Sequence, residues 1–177
     1  MIIEETTLPG VLVLSQERRE DGRGYFARTF DREAFAARGL VTDVSQCSVS
    51  FNRLRGTIRG LHLQIAPFEE AKLVRVTRGS VHDVVVDVRE GSPTRGQHVA
   101  VALTAELGNQ VYVPPGFAHG FQTLEDGTEV FYQISAGYSP EHARGYRFDD
   151  PTLAIRWPEP VTVISDRDLR LPRFDEG

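Results

Sequence analysis

Short runs rich in β-branched and aromatic residues recur along the whole chain, and glycine or proline separates most of them. The 16 glycines and 10 prolines are spread along the chain and are not gathered into one linker. Many short strands with frequent turn signals predict a β-sandwich or a β-barrel. The predicted strands are Val11–Leu14, Val44–Phe51, Lys72–Thr77, Val81–Val88, Val99–Leu103, Gln110–Val113 and Glu129–Ser135.

Helical signals are few. One helix is expected over Asp31–Arg38, because Asp31 can cap its start and Gly39 lies where a C-terminal glycine is favoured. After Trp157 the sequence has no clear period. The predicted fold class is therefore all-β, with a few short helices.

Size and charge narrow the range of functions. The chain has 177 residues, a length that fits a single domain over 1–177, and its net charge of −5 argues against a nucleic-acid partner. The one cysteine, Cys47, excludes an intramolecular disulfide, and no apolar stretch is long enough for a membrane helix. The start MIIEETTLPG has no signal-peptide pattern, so we expect a cytoplasmic protein.

Strand alternation points two polar side chains toward the interior. Lys72 shares a face with Val74 and Val76, and Tyr132 shares a face with Val130 and Ile134. If these apolar faces line a barrel, Lys72 lies inside it, which is costly unless the ammonium finds a partner or a ligand. Alternation alone leaves open a second reading, in which Lys72 starts its strand and reaches water.

Two segments resemble the two motifs of the cupins, a family of jelly-roll β-barrels. The first runs from Gly56 to Gln64 and includes His62, and the second runs from Gly108 through His119. Metal-binding cupins use three histidines and a glutamate, but Gln64 replaces one histidine and the spacing around Glu69 and Glu70 departs from the motif. These residues make a poor metal site, so we predict none.

A more specific resemblance covers nearly the whole chain. The matching runs, in order, are Arg23-Gly-Tyr-Phe26, Gln46-Cys-Ser-Val-Ser50, Arg59-Gly-Leu-His62-Leu-Gln64, Lys72-Leu-Val-Arg-Val, Asp83-Val-Val-Val-Asp87-Val-Arg, Ser92-Pro-Thr, Gly116-Phe-Ala-His119-Gly-Phe and Asp150-Pro. Together they resemble the dTDP-4-dehydrorhamnose 3,5-epimerase family. The resemblance implies a cupin-type jelly-roll β-barrel, usually a homodimer, that needs no metal or organic cofactor. It also implies removal of the C3 and C5 protons of a nucleotide-linked 4-keto-6-deoxy sugar and their return from the opposite face.

The resemblance assigns roles to the catalytic candidates. His62 is the implied base, as histidine suits proton abstraction near neutral pH. Asp168 is the implied carboxylate that orients the histidine, and Tyr132 is the implied general acid. Lys72 is the candidate cation for the enolate oxygen at C4, where His119 assists.

The implied substrate-binding residues lie in separate segments. Arg23, Arg59 and Gln46 match positions that hold the nucleotide and its pyrophosphate, and Phe26 and Tyr138 are candidates to flank the base. Arg59 and His62 have opposite parity in a regular strand, so both reach one pocket only if the chain bends near Gly60. Ser48 and Arg28 depart from residues common in the family, asparagine and glutamate, which leaves the nucleotide and the sugar open.

Three other functions compete with double epimerisation. A monoepimerase acting at C3 or C5 alone would share the catalytic residues. A non-catalytic sugar-binding cupin is disfavoured because His62, Lys72, Tyr132 and Asp168 are present together. A metal-dependent cupin oxygenase or isomerase is disfavoured by Gln64. By the resemblance we expect the N-terminal region at the interface of a homodimer.

Overall fold

The computed structural model describes residues 1–176 and consists mainly of β-strands. Two short α-helices and a C-terminal 3-10 helix complete these residues, and no helix within them is long and apolar enough to cross a membrane. The strands are β1 (Ile2–Glu5), β2 (Leu12–Ser15), β3 (Arg19–Asp21), β4 (Gly24–Phe26), β5 (Gln46–Asn52), β6 (Ile58–Gln64), β7 (Lys72–Arg78), β8 (Ser80–Asp87), β9 (His98–Thr104), β10 (Gln110–Val113), β11 (Phe117–Thr123), β12 (Thr128–Ile134) and β13 (Ala143–Gly145). The helices are α1 (Arg32–Ala36), α2 (Asp166–Leu169) and the 3-10 helix Phe174–Glu176.

Two antiparallel sheets form the body of the fold. One has six strands in the order β1-β2-β10-β7-β12-β5, and the other has five in the order β13-β6-β11-β8-β9. Apart from β1–β2 and β8–β9, neighbouring strands are not consecutive in the chain, as in a jelly roll, because the chain crosses repeatedly between the sheets. Strands β3 and β4 form a separate hairpin. The prediction of an all-β, cupin-type jelly-roll barrel with a few short helices is confirmed.

The main core lies between the two sheets. Valines from the six-stranded sheet, including Val74 and Val130, pack against residues of the five-stranded sheet such as Val85 and Phe121. These side chains are at most 1% exposed. Alternation of apolar residues along β7 and β12 thus places Lys72 and Tyr132 on the interior face. Of the two readings that the sequence left open for Lys72, the structure supports the one in which the residue lies inside.

Two further clusters cover the outer faces of the sheets. Helix α1 places Phe35 against Leu14, Leu73 and Tyr112 on the six-stranded sheet. On the five-stranded sheet, a cluster including Leu153 joins the segment after β13 to β6 and β8. The stretch after Trp157 forms two short helices, α2 and the 3-10 helix, which the sequence analysis missed, and it pairs with Thr57 through an isolated bridge at Val163.

Helix α1 begins where the sequence predicts and ends earlier. The side chain of Asp31 accepts hydrogen bonds from the backbone N–H groups of Glu33 and Ala34, and the helix ends at Ala36, two residues before the predicted end at Arg38. Gly39 has a φ of +68°, in the left-handed region, and its N–H bonds the carbonyl of Ala36. The last predicted residues therefore form a turn.

Replacing Asp31 by alanine should destabilise the protein by about 1 kcal/mol, the usual cost of losing an N-terminal cap. The substitution also removes the ion pair between Asp31 and Arg28. The measurement is the free energy of unfolding in urea. Asp43→Ala is the control, because Asp43 is 77% exposed and its pair with Arg32 spans 3.8 Å, and it should cost less than about 0.5 kcal/mol. Equal costs for the two substitutions would contradict the capping role.

Candidate active site

A cavity of about 570 Å³ opens between the two sheets. Its walls come from β5, β6, β7, β11 and β12, and the segment 163–168 closes one side. Eight of the ten site residues predicted from the sequence line it. They are His62, Lys72, Tyr132, Asp168, Gln46, Arg59, His119 and Tyr138.

A one-residue bulge in β6 brings Arg59 and His62 to the same cavity. His62 pairs with His119 and Arg59 pairs with Phe121, so three steps along β6 lie opposite two steps along β11. Gly60 has a φ of +122°, and a Cβ atom there would lie 2.5 Å from the Cα of Gly120. Only glycine fits this close approach of the two strands. The predicted bend near Gly60 is confirmed.

His62 forms a hydrogen bond with a buried carboxylate. Its Nε2 lies 2.7 Å from Oδ1 of Asp168, whose side chain is 6% exposed, whereas the His62 side chain is 39% exposed. With Asp168 ionised, Nε2 carries the proton and donates it to this bond, which leaves Nδ1 as the basic nitrogen. Asp168 itself is held by α2, which is capped by the side chain of Ser165.

The pKa of Asp168 reflects opposing effects. Burial raises it, but the hydrogen bonds from His62, from the Gly60 N–H and from Ser165, together with the charge of His62, lower the pKa below its usual value. The carboxylate is therefore ionised at neutral pH, as a group that orients a base must be.

Lys72 has a partner inside the barrel that the sequence analysis did not assign. Its Nζ lies 3.0 Å from Oε1 of Glu70, and the two side chains are 11% and 8% exposed. Nζ also donates to the backbone oxygen of His62 at 3.2 Å. An ammonium group has three donors, so one is left for a ligand in the cavity. Glu70 was weighed in the sequence only as a metal ligand; its position two residues before Lys72 was the signal that it shares that face.

A second histidine–carboxylate pair lies deeper in the barrel. Nε2 of His119 is 2.8 Å from Oδ2 of Asp83, and the two side chains are 4% and 0% exposed. Asp83 was also missed as a site residue, although an acid in the apolar run Val81–Val88 is a signal of a buried pair.

Tyr132 lies beside this pair, with its ring centroid 6.2 Å from that of His119. Burial, and then the negative charge of Asp83, raise the pKa of Tyr132 well above its usual value. The phenol therefore keeps its proton at neutral pH, which is the state that a general acid requires.

Arginines and polar groups surround the mouth of the cavity. Nε of Arg59 donates to Oδ1 of Asn52 at 2.7 Å. The N–H of Tyr138 donates to Oε1 of Gln46 at 3.2 Å, and Nη1 of Arg167 lies 3.4 Å from the Tyr138 hydroxyl. Arg144 also lines the cavity. Sequence reasoning passed over Arg144 and Arg167, although Arg167 lies between the two aspartates of the run that carries Asp168.

Arg23 and Phe26 do not line the cavity of this chain. Both lie on the β3–β4 hairpin, where the Arg23 side chain is 91% exposed and pairs with Asp21 at 2.6 Å. Phe26 is 70% exposed, and its neighbour Tyr25 is 51% exposed. The fold thus separates these two predicted substrate-binding residues from the other eight.

Gln64, which stands where metal-binding cupins have a histidine ligand, bonds to backbone atoms. The amide of Gln64 is hydrogen-bonded to the backbone of Phe68, Gly137 and Ser139. Across residues 1–176, His, Cys, Asp and Glu side chains form no group of three or more with the geometry to hold a metal ion. His62 and His119 instead each contact a carboxylate.

Comparison with known proteins identifies the family. The family model described as dTDP-4-dehydrorhamnose 3,5-epimerase matches residues 5–176. A dTDP-4-dehydrorhamnose 3,5-epimerase from Sinorhizobium fredii is 42% identical over 177 residues, which cover 99% of this chain and 91% of the relative.

Solved structures of sugar-nucleotide epimerases have the same fold as this chain. A dTDP-6-deoxy-D-glucose-3,5-epimerase from Legionella pneumophila, in complex with dTDP-4-keto-L-rhamnose, superposes with a TM-score of 0.91 at 35% identity, covering 98% of this chain and 93% of that chain. A 3′-monoepimerase from Streptomyces bikiniensis, in complex with dTDP-quinovose, gives a TM-score of 0.90 at 34% identity and covers 98% and 88% of the two chains.

The fold and the paired acid–base groups of the cavity define a cupin-type sugar-nucleotide isomerase. The chain belongs to the dTDP-4-dehydrorhamnose 3,5-epimerase family. The sequence resemblance and the prediction of an isomerase are confirmed.

The lowered pKa of Asp168 gives a prediction about acid stability. Its ionised form stabilises the folded protein above the ordinary value of 3.8, and this contribution is lost as the pH falls through the lowered pKa. In Asp168→Asn, the deficit in unfolding free energy relative to the wild type should therefore shrink below about pH 4. Urea unfolding at neutral and acid pH measures it. Asp166→Asn, an exposed change on the same helix, is the control. A deficit that stays constant with pH would contradict the assignment.

Proposed function

We propose that this chain epimerises a dTDP-linked 4-keto-6-deoxy sugar at C3 and C5, in deoxysugar biosynthesis of the rhamnose type. The observation that carries the proposal is that His62, oriented by Asp168, and a protonated Tyr132 line the same cavity. One group is suited to remove a proton and the other to supply one. Membership of the family makes the 4-keto sugar the substrate to test first.

In the first step, Nδ1 of His62 takes the proton from the carbon next to the ketone. The electron pair of the broken C–H bond forms a C=C bond with C4, and the carbonyl electron pair moves to the C4 oxygen. The third N–H of Lys72 donates to this enolate oxygen, and His119 binds beside it. The Glu70 carboxylate and the His62 carbonyl hold the ammonium in place for that contact.

In the second step, Tyr132 donates its phenolic proton to the opposite face of the same carbon, and the C4 ketone reforms. Configuration at that carbon is then inverted, and proton exchange with solvent restores Tyr132 and His62. Repetition at the second carbon gives double epimerisation. No step needs an oxidant, a reductant or a metal ion.

The nucleotide part binds at the mouth of the cavity in this proposal. Arg59 contacts the pyrophosphate, Gln46 contacts the nucleotide, and Tyr138 flanks the base. Arg23 and Phe26 come from a second copy of the chain, in a homodimer with the N-terminal region at its interface. The exposure of the hairpin that carries them supports this arrangement. We further propose that residues 1–177 act as one domain, in the cytoplasm.

The second candidate function is epimerisation at one carbon only. It is favoured by the similarity to the Streptomyces bikiniensis 3′-monoepimerase, which is nearly as high as that to the Legionella enzyme. A non-catalytic sugar-binding role is a third outcome of the same test.

Incubation with dTDP-4-keto-6-deoxyglucose in deuterated water separates these functions. Double epimerisation should place deuterium at both C3 and C5 with inversion at both, because each new proton comes from solvent-exchanged groups. NMR of the product measures this. Deuterium and inversion at one carbon would support the monoepimerase, and no exchange at either carbon, here or with related 4-keto sugar nucleotides, would support a binding protein.

Two variants test the roles of the base and the acid in the same experiment. His62→Ala should lower turnover by roughly 10²–10⁴-fold with a much smaller change in binding. Tyr132→Phe should still exchange protons but invert poorly, because the base can return a proton to the face it came from. Near-normal turnover of His62→Ala would remove His62 from the mechanism.

Activity should not depend on divalent metal ions. Gln64 stands where metal-binding cupins have a histidine, and its amide is hydrogen-bonded to backbone atoms. Prolonged treatment with a chelator, followed by metal analysis and a rate measurement, should leave turnover unchanged. Loss of activity that added metal restores would contradict the proposed chemistry.

A further inference from the structure

Gln64 lines the cavity, and its side-chain amide is hydrogen-bonded to backbone atoms of the protein. The residue is 4% exposed. Nε2 donates to the carbonyl oxygens of Phe68 and Gly137 at 2.9 and 3.1 Å, and Oε1 accepts from the N–H of Ser139 at 2.6 Å. Because a side-chain amide has two donor hydrogens and one carbonyl oxygen, each of its polar atoms is already bonded. Gln64 is therefore placed to hold backbone, not substrate.

The backbone that Gln64 holds surrounds Tyr138. Gly137 and Ser139 are the residues directly before and after it, and the N–H of Tyr138 itself donates to Gln46. None of these three consecutive residues belongs to a helix or strand. The carbonyl of Ser139 accepts from the N–H groups of His142 and Ala143, and the other backbone bonds of the three residues go to side-chain amides. Tyr138 is 57% exposed and lines the cavity.

Contacts between neighbouring segments support the same connection. The ring of Phe68 lies 4.6 Å from that of His142, centroid to centroid, and the N–H of Ile65 donates to the carbonyl of His142 at 3.0 Å. The segment just after β6 and the segment just after β12 are thus packed together beside the cavity, and Gln64 supplies the buried polar link between them.

We propose that Gln64 is a positioning residue for Tyr138 and that it acts on nucleotide binding, not on the proton transfers. The inference rests on the proposed function, in which Tyr138 flanks the base. A loop with few backbone bonds samples more conformations than a strand, and fixing it before binding removes that cost from the affinity. If the competent conformation becomes only a fraction of the population, the apparent Kd rises by the inverse of that fraction. His62 and Lys72 are held by other bonds, so the chemical step is unaffected.

The test compares Gln64→Met with a matched control, Gln122→Met. Gln122 is likewise buried, at 0% exposure, and bonds both backbone groups of Glu159, but it does not line the cavity. Calorimetry gives the Kd for dTDP, and steady-state kinetics with dTDP-4-keto-6-deoxyglucose give KM and kcat. Gln64→Met should raise Kd and KM about tenfold and change kcat by less than about twofold. Gln122→Met should leave all three within about twofold of the wild type.

A double substitution shows whether the effect passes through Tyr138. In a Tyr138→Ala background, Gln64→Met should change the Kd by less than about twofold, because the ring to be positioned is gone. An equal effect in both backgrounds would overturn the inference. So would an unchanged Kd in Gln64→Met, a loss confined to kcat, or the same loss in Gln122→Met.

A second variant and dTDP binding by the wild type separate failure of folding and failure of the proposed function from failure of the inference. If Gln64→Met does not unfold cooperatively, Gln64→Glu replaces it; this variant keeps the acceptor for Ser139 and puts an oxygen opposite the carbonyls of Phe68 and Gly137, and it should raise the Kd in the same direction. If the wild-type protein binds no dTDP, the proposed function is wrong and the inference falls with it. If the wild type binds dTDP and both Gln64 variants bind equally well, only the inference is wrong.

Discussion

The close approach of Gly60 to Gly120 is the constraint on which the active site depends. The extra residue in β6 restores Arg59 and His62 to one side of the strand, and it can exist only where neither strand carries a side chain at the contact. The N–H of Gly60 also lies 3.4 Å from Oδ2 of Asp168, so the bulge supplies a second contact for the carboxylate that orients His62. A regular strand would have pointed one of the two side chains away from the cavity.

Charge pairing then makes the polar cavity compatible with a buried location. His62 with Asp168, Lys72 with Glu70 and His119 with Asp83 are each within 3.0 Å. An unpaired charge at such positions would carry a large desolvation cost, whereas each of these pairs is hydrogen-bonded and has at least one member that lines the cavity. The carboxylates Glu70 and Asp83 therefore belong to the site even though neither needs to touch a substrate.

The residues proposed for proton transfer and the residue proposed to flank the base are held in place in different ways. His62, Lys72, His119 and Tyr132 lie on paired strands in the interior, where the sheets fix their positions. Tyr138 lies on a segment held by two glutamine side chains. This division suits an enzyme in which proton transfer needs a fixed geometry and nucleotide recognition needs access from outside.

The sequence by itself determined the fold class, because short β-branched runs with alternating apolar faces can bury themselves only as packed sheets. Alternation placed Tyr132 on an apolar strand face but left open whether Lys72 lies inside or reaches water, and the structure places it inside. The bend at Gly60 followed from strand parity once the family resemblance had assigned Arg59 and His62 to one pocket. The roles of His62 and Asp168 came from family resemblance. Only the tertiary structure decided the partners Glu70 and Asp83, the link from Gln64 to the Tyr138 segment, and the separation of Arg23 and Phe26 from the cavity. Each of these depends on contacts between segments far apart in sequence or on side-chain direction, which a local pattern does not encode.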